Sequence, residues 1–407
     1  MSVEASGGVA KPLPLEGVRM LELGHTVMGP SCSLILAGMG ADVIKVEPPE
    51  GERTRGAVGF GAALFPVFNH NKRSLCIDLK SDVGKAVLHK VLASSDVLLE
   101  NFAPGAMDRL GLGYEALSRA HPRLIYCSLK GFLGGPYEDR AALDEIVQFM
   151  AGLAYMTGPT GMPLRAGASV IDIMGGMFGA LGILAALRER DHTGRGQLVE
   201  SALFESTAFV VAQHMGLHAL TGKAPPPMPE RSSSWAVYHP FKTADEKTVF
   251  VGITSDNHWR GFCTEFGLEE LLADPELRTN PQRAKARDEF MPLITARIGA
   301  ETLASLCEKL ERLKIPFGPL ARPGDLFDDP HLNQGGRMLD VVLPNGAHAK
   351  LPGLPLDMDG RKPTLRRQPP AKGEHTREVL EESGFARDEI DRLVKDRVAI
   401  VAERKHG

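Results

Sequence analysis

Asp172 is the only charged residue between Gly167 and Leu187 (GASVIDIMGGMFGALGILAAL). A carboxylate among apolar and small residues loses much of its hydration, so such a group is neutralised, partnered or put to chemical use. At the N-terminal end of the glycine-rich helix that follows, backbone N–H groups and the helix dipole would hold it ionised while water is kept away. That setting suits a carboxylate nucleophile. It equally suits an aspartate that only caps the helix, and the segment alone leaves both readings open.

Two other polar clusters offer less specific chemistry. Gly24-His25-Thr26-Val27-Met28-Gly29-Pro30 follows a predicted strand and opens a helix, the place where open α/β sheets bind ligands. A dinucleotide fingerprint needs G-x-G-x-x-G and a phosphate loop needs Gly-Lys-Ser/Thr, and Thr26 and Pro30 break these patterns. An NAD or ATP site is therefore not expected. Asn69-His70-Asn71-Lys72-Arg73 reads either as an anion-binding turn or, by a small margin, as an ordinary surface turn.

The bulk composition bounds the rest. A chain of 407 residues, 43% hydrophobic and 24% charged, is long enough for two domains with a substantial core. A net charge of −4 gives no electrostatic footprint for nucleic acid or an anionic membrane. Cys32, Cys76, Cys127, Cys263 and Cys307 are far apart and form no C-x-x-C pair, which argues against a zinc site or a disulfide framework and for reduced, mostly buried thiols. The segment MSVEASGGVAKPLPLEG lacks the apolar run of a secretory signal, so a cytoplasmic protein is expected. Residues 167–187 approach the length of a membrane span, but Asp172 and five glycines favour a buried core helix that other backbone can approach closely.

The elements that must position these residues follow from periodicity. Val18–Leu23 and Asp42–Val46 read as strands flanking a helix at Pro30–Met39. Further strands are expected at Ser74–Leu79, Val97–Glu100 and Leu124–Ser128, with helices at Asp82–Ala93, Tyr114–Arg119 and Ser201–Leu220. Alternating β and α elements imply a parallel sheet covered on both faces. The proline run in GKAPPPMPE marks a linker at 223–230, which closes a large Rossmann-like domain over 1–222. A small α+β domain is expected over 231–314, with strands at Val237–Phe241 and Thr248–Ile253 and helices at His258–Phe266, Arg283–Ile298 and Glu301–Leu313. A second linker at 315–330 leads to residues 331–407, with strands at Met338–Leu343 and His348–Leu351 and helices at His375–Ser383 and Arg387–Asp396, which rejoin the large domain.

Eight blocks in order carry a resemblance to a known family. They are PLEGVRMLELGHTVMGP, ADVIKVEPPEGERTRG, FNHNKRSLCIDLK, ENFAPGAMDRLGLGYE, RLIYCSLKGFLGGPYEDR, ASVIDIMGGMFGALGILAALRER, TGRGQLVESAL and GEHTREVL. The chain resembles the class III CoA-transferases of CaiB/BaiF type, which include formyl-CoA transferase and carnitine CoA-transferase, with alpha-methylacyl-CoA racemase as a branch. The resemblance implies an open Rossmann-like parallel sheet, a smaller inserted α+β domain and an interlocked homodimer. It assigns Asp172 as the nucleophile that carries CoA as an aspartyl thioester between an acyl-CoA, such as succinyl-CoA, and a small carboxylic acid. Neither metal nor redox cofactor is implied, because coenzyme A enters as part of the substrate.

The same resemblance implies a coenzyme A site. Ile77, Asp78, Leu79 and Lys80 fall at the adenine end, Asn101, Phe102 and Ala103 along the pantetheine, Arg109 and Lys130 near phosphate, and His25, Val27 and Met28 on the first-loop side. Read without it, Ile77 and Leu79 suit strand core, Lys80 and Arg109 solvated surface, and Phe102 packing. Three departures bear on specificity. Leu143 stands where the racemase branch has a histidine base, which argues against racemisation. Val27 and Leu143 replace a glutamine and a tyrosine of formyl-CoA transferase, and its long glycine-rich loop has PERSSSWAVY (229–238) as counterpart, which argues against oxalate. Arg231 with Ser232, Ser233 and Ser234 offers a guanidinium and hydroxyls for the distal carboxylate of a dicarboxylic acid, or a plain linker. Asp144 and Glu145 are placed to orient or repel groups near Asp172. An acyl-CoA racemase or epimerase, a non-catalytic CoA-binding protein and a nicotinamide oxidoreductase are the alternatives.

Overall fold

In the computed structural model, which describes residues 12–230 and 234–402, apolar runs of four to six residues alternate with helices through the first half of the chain. The order is β1 (Arg19–Leu23), α1 (Met28–Gly38), β2 (Asp42–Glu47), α2 (Leu64–Asn69), β3 (Lys72–Ile77), α3 (Asp82–Leu92), β4 (Val97–Glu100), α4 (Ala106–Arg109), α5 (Tyr114–Ala120), β5 (Ile125–Lys130), α6 (Asp144–Met150), α7 (Leu153–Thr157), α8 (Val170–Thr193), β6 (Leu198–Ala202) and α9 (Leu203–Thr221). Gly194 and Gly222 end α8 and α9 at φ of 71° and 68°, a left-handed conformation that glycine adopts without strain.

Residues Glu230–Asp329 form a separate compact unit. It contains β7 (Val237–Lys242), β8 (Thr248–Ile253), α10 (Asp256–Glu265), α11 (Glu269–Ala273), α12 (Asn280–Lys285), α13 (Arg287–Gly299), α14 (Leu303–Arg312) and β9 (Phe317–Pro319). Its three strands pair antiparallel in the order β7-β8-β9 over a core that includes Val249, Val251, Phe262, Ile294 and Leu306. The stretch read as a second linker therefore starts with an edge strand, because Phe317 and Pro319 pair with Val251 and Val249. The helix expected over Arg283–Ile298 is two helices that break at Ala286.

The chain then returns to the large unit through α15 (Pro330–Gln334), the hairpin of β10 (Met338–Val342) and β11 (His348–Pro352), α16 (Thr376–Glu382), α17 (Arg387–Lys395) and β12 (Ala399–Ile400). The large sheet runs β12-β3-β2-β1-β4-β5-β6, with β1 to β6 parallel and β12 antiparallel at the β3 edge. Neither edge strand was read from the sequence: β12 has two residues, and β6 carries Glu200 mid-strand with its first three positions not fully buried.

Strand side chains alternate between two cores, as the two-residue period of a pleated strand requires. Met20, Val43, Val97 and Cys127 pack with α1 and α8, whereas Leu21, Ile44, Leu98 and Tyr126 pack with α3, α5, α16 and α17. Helix α8 is long and apolar enough to cross a membrane by length and composition, with a mean hydropathy of 2.0, yet Ile171, Ala180, Ile183 and Ala186 lie in the first of these cores. It is not buried on every side, since Met177 and Leu181 are exposed.

Candidate active site

The parallel strand order reverses direction between β1 and β4, and in open α/β sheets the crevice beyond the carboxyl ends at such a point is where ligands bind. The loops after these two strands are joined there. The Asn101 side chain accepts a hydrogen bond from the His25 backbone N–H at 2.8 Å and donates to the His25 carbonyl at 3.1 Å. The His25 ring stacks on Phe102, with centroids 5.9 Å apart, and burial lowers its pKa. His25, Asn101 and Phe102 thus lie together, and the Asn101 amide is committed to holding the first loop.

Helix α8, which carries Asp172 on its first turn, packs on α1, the helix that opens from the first loop. A Cβ at Gly176 would lie 2.7 Å from the Met28 carbonyl oxygen and 3.0 Å from the Cys32 nitrogen, so only glycine lets α8 lie directly on the backbone of α1. Residues 172, 175 and 176 share one helix face. Asp172 therefore lies on the helix face that, one turn further on, rests on Met28.

The electrostatics at this end of α8 differ from the sequence expectation. The backbone N–H groups of Ile171 and Asp172 donate to the Asp144 carboxylate at 2.8 and 3.0 Å. Asp144, at the start of α6 and 4% exposed, thus caps α8 from outside. Gln148 fixes Asp144 in turn, donating to its other oxygen while accepting the Ala166 N–H at 2.9 Å. The Asp172 carboxylate is left without a hydrogen-bond partner among the described residues. Burial, with the Asp144 and Glu145 charges added, pushes its pKa up to about 7. The helix N-terminus does not hold Asp172 ionised, because a second carboxylate occupies the donors that would do so.

The remaining coenzyme A candidates lie along the carboxyl edge of the sheet or its core. Lys80 and Arg109 are exposed, Ala103 is exposed, and Leu79 is half-buried. Asp78 shapes the turn into α3, accepting the Lys80 N–H at 3.0 Å through its side chain. Lys130 ends β5 between Glu200 at 2.5 Å and Glu138 at 3.3 Å; burial opposes its charge, but these carboxylates raise its pKa. Ile77, Val27 and Met28 are corrections: their side chains are core, at 0, 2 and 4% exposure, so any contact with a ligand would come from backbone.

Asn69 to Arg73 is not a surface turn. All five residues are buried. Asn71 holds the backbone of Thr364, Arg366 and Arg367, and Arg73 pairs with Asp42, Glu378 and Glu382. Lys72 joins Glu22, Lys45 and Glu52 in a buried ionic cluster that periodicity alone did not single out. Glu100, at the end of β4, was also missed; it accepts the Phe102 N–H at 2.9 Å and the Ser128 hydroxyl. Of the serine-rich segment, Arg231, Ser232 and Ser233 lie outside the described residues. Leu143 is 65% exposed beside Asp144 and carries no base.

Comparisons with known proteins agree in kind. Residues 15–376 match the model of CoA-transferase family III. The chain is 32% identical over 376 residues to succinyl-CoA:glutarate CoA-transferase of Mus musculus, covering 91% of this chain and 86% of that protein. It is 33% identical over 384 residues to succinate–glutarate CoA-transferase of Agrobacterium fabrum, covering 91% and 95%. A solved CAIB/BAIF family protein from Brucella suis superposes with a TM-score of 0.81 at 31% identity, covering 92% of this chain and all (100%) of that one.

Proposed function

The chain belongs to CoA-transferase family III and moves CoA from an acyl-CoA to a carboxylic acid; we propose that Asp172 carries the CoA as a covalent thioester and that succinyl-CoA and a small dicarboxylic acid are the substrate pair. The observation that supports the assignment of Asp172 is its setting: a carboxylate without a side-chain partner on the first turn of an apolar helix that packs on α1, the helix opening from the loop after β1.

The chemistry balances without any further reagent. An Asp172 oxygen attacks the thioester carbonyl, the C–S bond breaks, and an acyl-aspartyl anhydride and a CoA thiolate result. The thiolate attacks the Asp172 carbonyl carbon, expelling the donor as its carboxylate and leaving aspartyl-CoA. The acceptor carboxylate then attacks that thioester, and the released thiolate takes the acyl group from the new anhydride, which restores Asp172. Covalent division of the exchange lowers each barrier. Anhydrides hydrolyse, so the small and apolar surroundings of Asp172 serve by excluding water. His25, Asn101, Phe102, Lys80, Arg109 and Lys130 are the coenzyme A contacts in this reading, with backbone alone contributing at Val27, Met28 and Ile77.

We also read the protein as a homodimer, interlocked as the resemblance implies. Support comes from the large apolar side chains left in water on α8 and α9, among them Leu181, Phe209, Met215 and Leu220 at 58, 68, 60 and 87% exposure, which a partner chain would cover. Five free thiols are consistent with a cytoplasmic enzyme. The experiment that tests the catalytic assignment is incubation with succinyl-CoA followed by hydroxylamine and peptide mass analysis. The hydroxamate maps to Asp172; its appearance elsewhere, or none during turnover, would overturn the reading.

A further inference from the structure

Beneath the first loop the protein buries four charges that the transfer chemistry does not use. Lys45 donates to Glu22 at 2.9 Å and to the Gly24 carbonyl at 2.9 Å, and lies 2.8 Å from Glu52. Lys72 donates to Glu22 at 2.7 Å, to Asn69 at 2.9 Å and to the Pro30 carbonyl at 3.0 Å. The Lys72 ammonium thus has three acceptors, and Lys45 has two acceptors and an ion pair with Glu52. Ser33 completes Glu22 at 2.7 Å, and Glu52 accepts the Thr26 backbone N–H at 2.9 Å and the Thr54 hydroxyl at 2.6 Å. The four charged side chains are between 0 and 4% exposed.

Such a cluster is a poor way to gain stability. Desolvating two ion pairs offsets most of their attraction, and apolar replacements of similar volume are often neutral or stabilising. Burial pushes the Glu22 carboxyl up, but Lys45 and Lys72 more than reverse this and hold it at about 2, so the charges persist at neutral pH. What the cluster fixes is one stretch of backbone. It grips the first loop at its start through Gly24, in the middle through Thr26 and at its end through Pro30. Thr26 is held at φ 65°, a conformation that a β-branched residue avoids unless its surroundings impose it. A Cβ at Gly24 would lie 2.9 Å from Glu22, so the loop rests directly on the carboxylate.

We propose that Glu22, Lys45, Glu52 and Lys72 are positioning residues for transfer, holding the Gly24–Pro30 backbone so that the face it turns to Asp172 is preformed for the acyl-CoA. This rests on the reading of Asp172 given above. Its consequence is a kinetic defect that stability does not explain.

The test compares Glu52→Gln, Thr54→Val and the double variant Lys45→Met/Glu52→Met, which removes one pair and leaves Glu22 balanced by Lys72. In the double variant the melting temperature holds or rises, while KM for succinyl-CoA rises about 10- to 100-fold, KM for the acceptor acid stays unchanged, and the peptide spanning residues 24–30 exchanges its amide hydrogens faster. Glu52→Gln shifts the same quantities in the same direction. A purely structural role would lower the active fraction without moving KM. Wild-type KM and exchange in a folded double variant would overturn the proposal. Should neither charge variant fold, Thr54→Val decides: roughly a threefold rise in KM supports positioning and no change refutes it. Hydroxylamine trapping on the wild-type enzyme keeps the two readings apart, since failure there removes Asp172 whatever these variants do.

Discussion

Asp144 accepts the backbone N–H of Asp172 itself, at 3.0 Å, so two carboxylates meet at the first turn of α8 and only one of them has donors. Asp144 takes the stabilisation that a helix N-terminus offers an anion, and Asp172 is left raised towards neutrality. A group in that state is readily desolvated in its protonated form and, once ionised, is a stronger nucleophile than an ordinary carboxylate.

Asp172→Asn should abolish trapping and exchange yet stabilise the fold at alkaline pH. The Asp172 pKa is raised on folding to about 7, so its contribution to stability is full below the unfolded value and is lost as pH rises through 7. Asparagine removes that loss. Urea unfolding should show the variant gaining roughly 1–3 kcal/mol more at pH 8 than at pH 5, where only the first part of the loss has occurred, discounted for the water that reaches a half-buried group. A variant less stable at both values would return Asp172 to the role of a structural cap.

Asp144→Asn keeps an oxygen for the N–H groups of Ile171 and Asp172 but removes the charge that helps raise Asp172. The acidic limb of the pH dependence of adduct formation should move to lower pH, because Asp172 then ionises more readily. Asp144→Ala loses the cap as well and should cost about 1–2 kcal/mol in urea unfolding. An unmoved limb in Asp144→Asn would separate the two carboxylates functionally.

Sheet and site were legible in the sequence to different depths. Mainly apolar runs bounded by Gly, Pro and Asp mark β1, β2 and β4 to within a residue, because those strands are buried on both faces and only Glu22 and Lys45 interrupt the pattern inside them. Asp172 stands out for the same reason, as a lone charge in such a run. The partners that define its chemistry do not. Glu22 and Lys45 become neighbours only through the register of β1 on β2, and Asp144 reaches Asp172 only when α6 packs at the end of α8. Periodicity reports which face is apolar, not which polar groups a buried surface brings together, so Asn69 to Arg73 looked like a solvated turn. The resemblance alone points to Val27, Met28 and Ile77 as coenzyme A candidates, whereas the pleat and the start of α1 turn their side chains inward.

Gly176→Ala should damage both stability and the first loop. The added methyl would press on the Met28 carbonyl at 2.7 Å and the Cys32 nitrogen at 3.0 Å, backbone atoms that cannot swing aside. Moving α8 off α1 should cost roughly 1–3 kcal/mol. Because α1 begins with the loop that holds His25, turnover should fall in the folded fraction too. Urea unfolding and the specific rate of the refolded enzyme measure the two effects. An undiminished rate would show that the site does not depend on this packing.

Lys130 offers a test of the coenzyme A site in which one variant should improve binding. Its ammonium lies between Glu200 and Glu138, so a phosphate must compete with carboxylates already in place. Glu138 is the weaker partner, at 3.3 Å and half exposed, and Glu138→Gln should release Lys130 and lower KM for acyl-CoA about two- to threefold. Lys130→Ala should raise it about tenfold, through loss of a charge-assisted hydrogen bond. Both effects should shrink between 0.05 and 0.5 M salt, since screening weakens partly exposed ion contacts, with the Debye length falling from about 14 to 4 Å. A dephosphorylated CoA thioester tells which phosphate is involved: a Lys130→Ala effect that vanishes with it assigns the ribose phosphate, and one that persists assigns the pyrophosphate. If Glu138→Gln weakens binding instead, Lys130 serves only to tie β5 to β6.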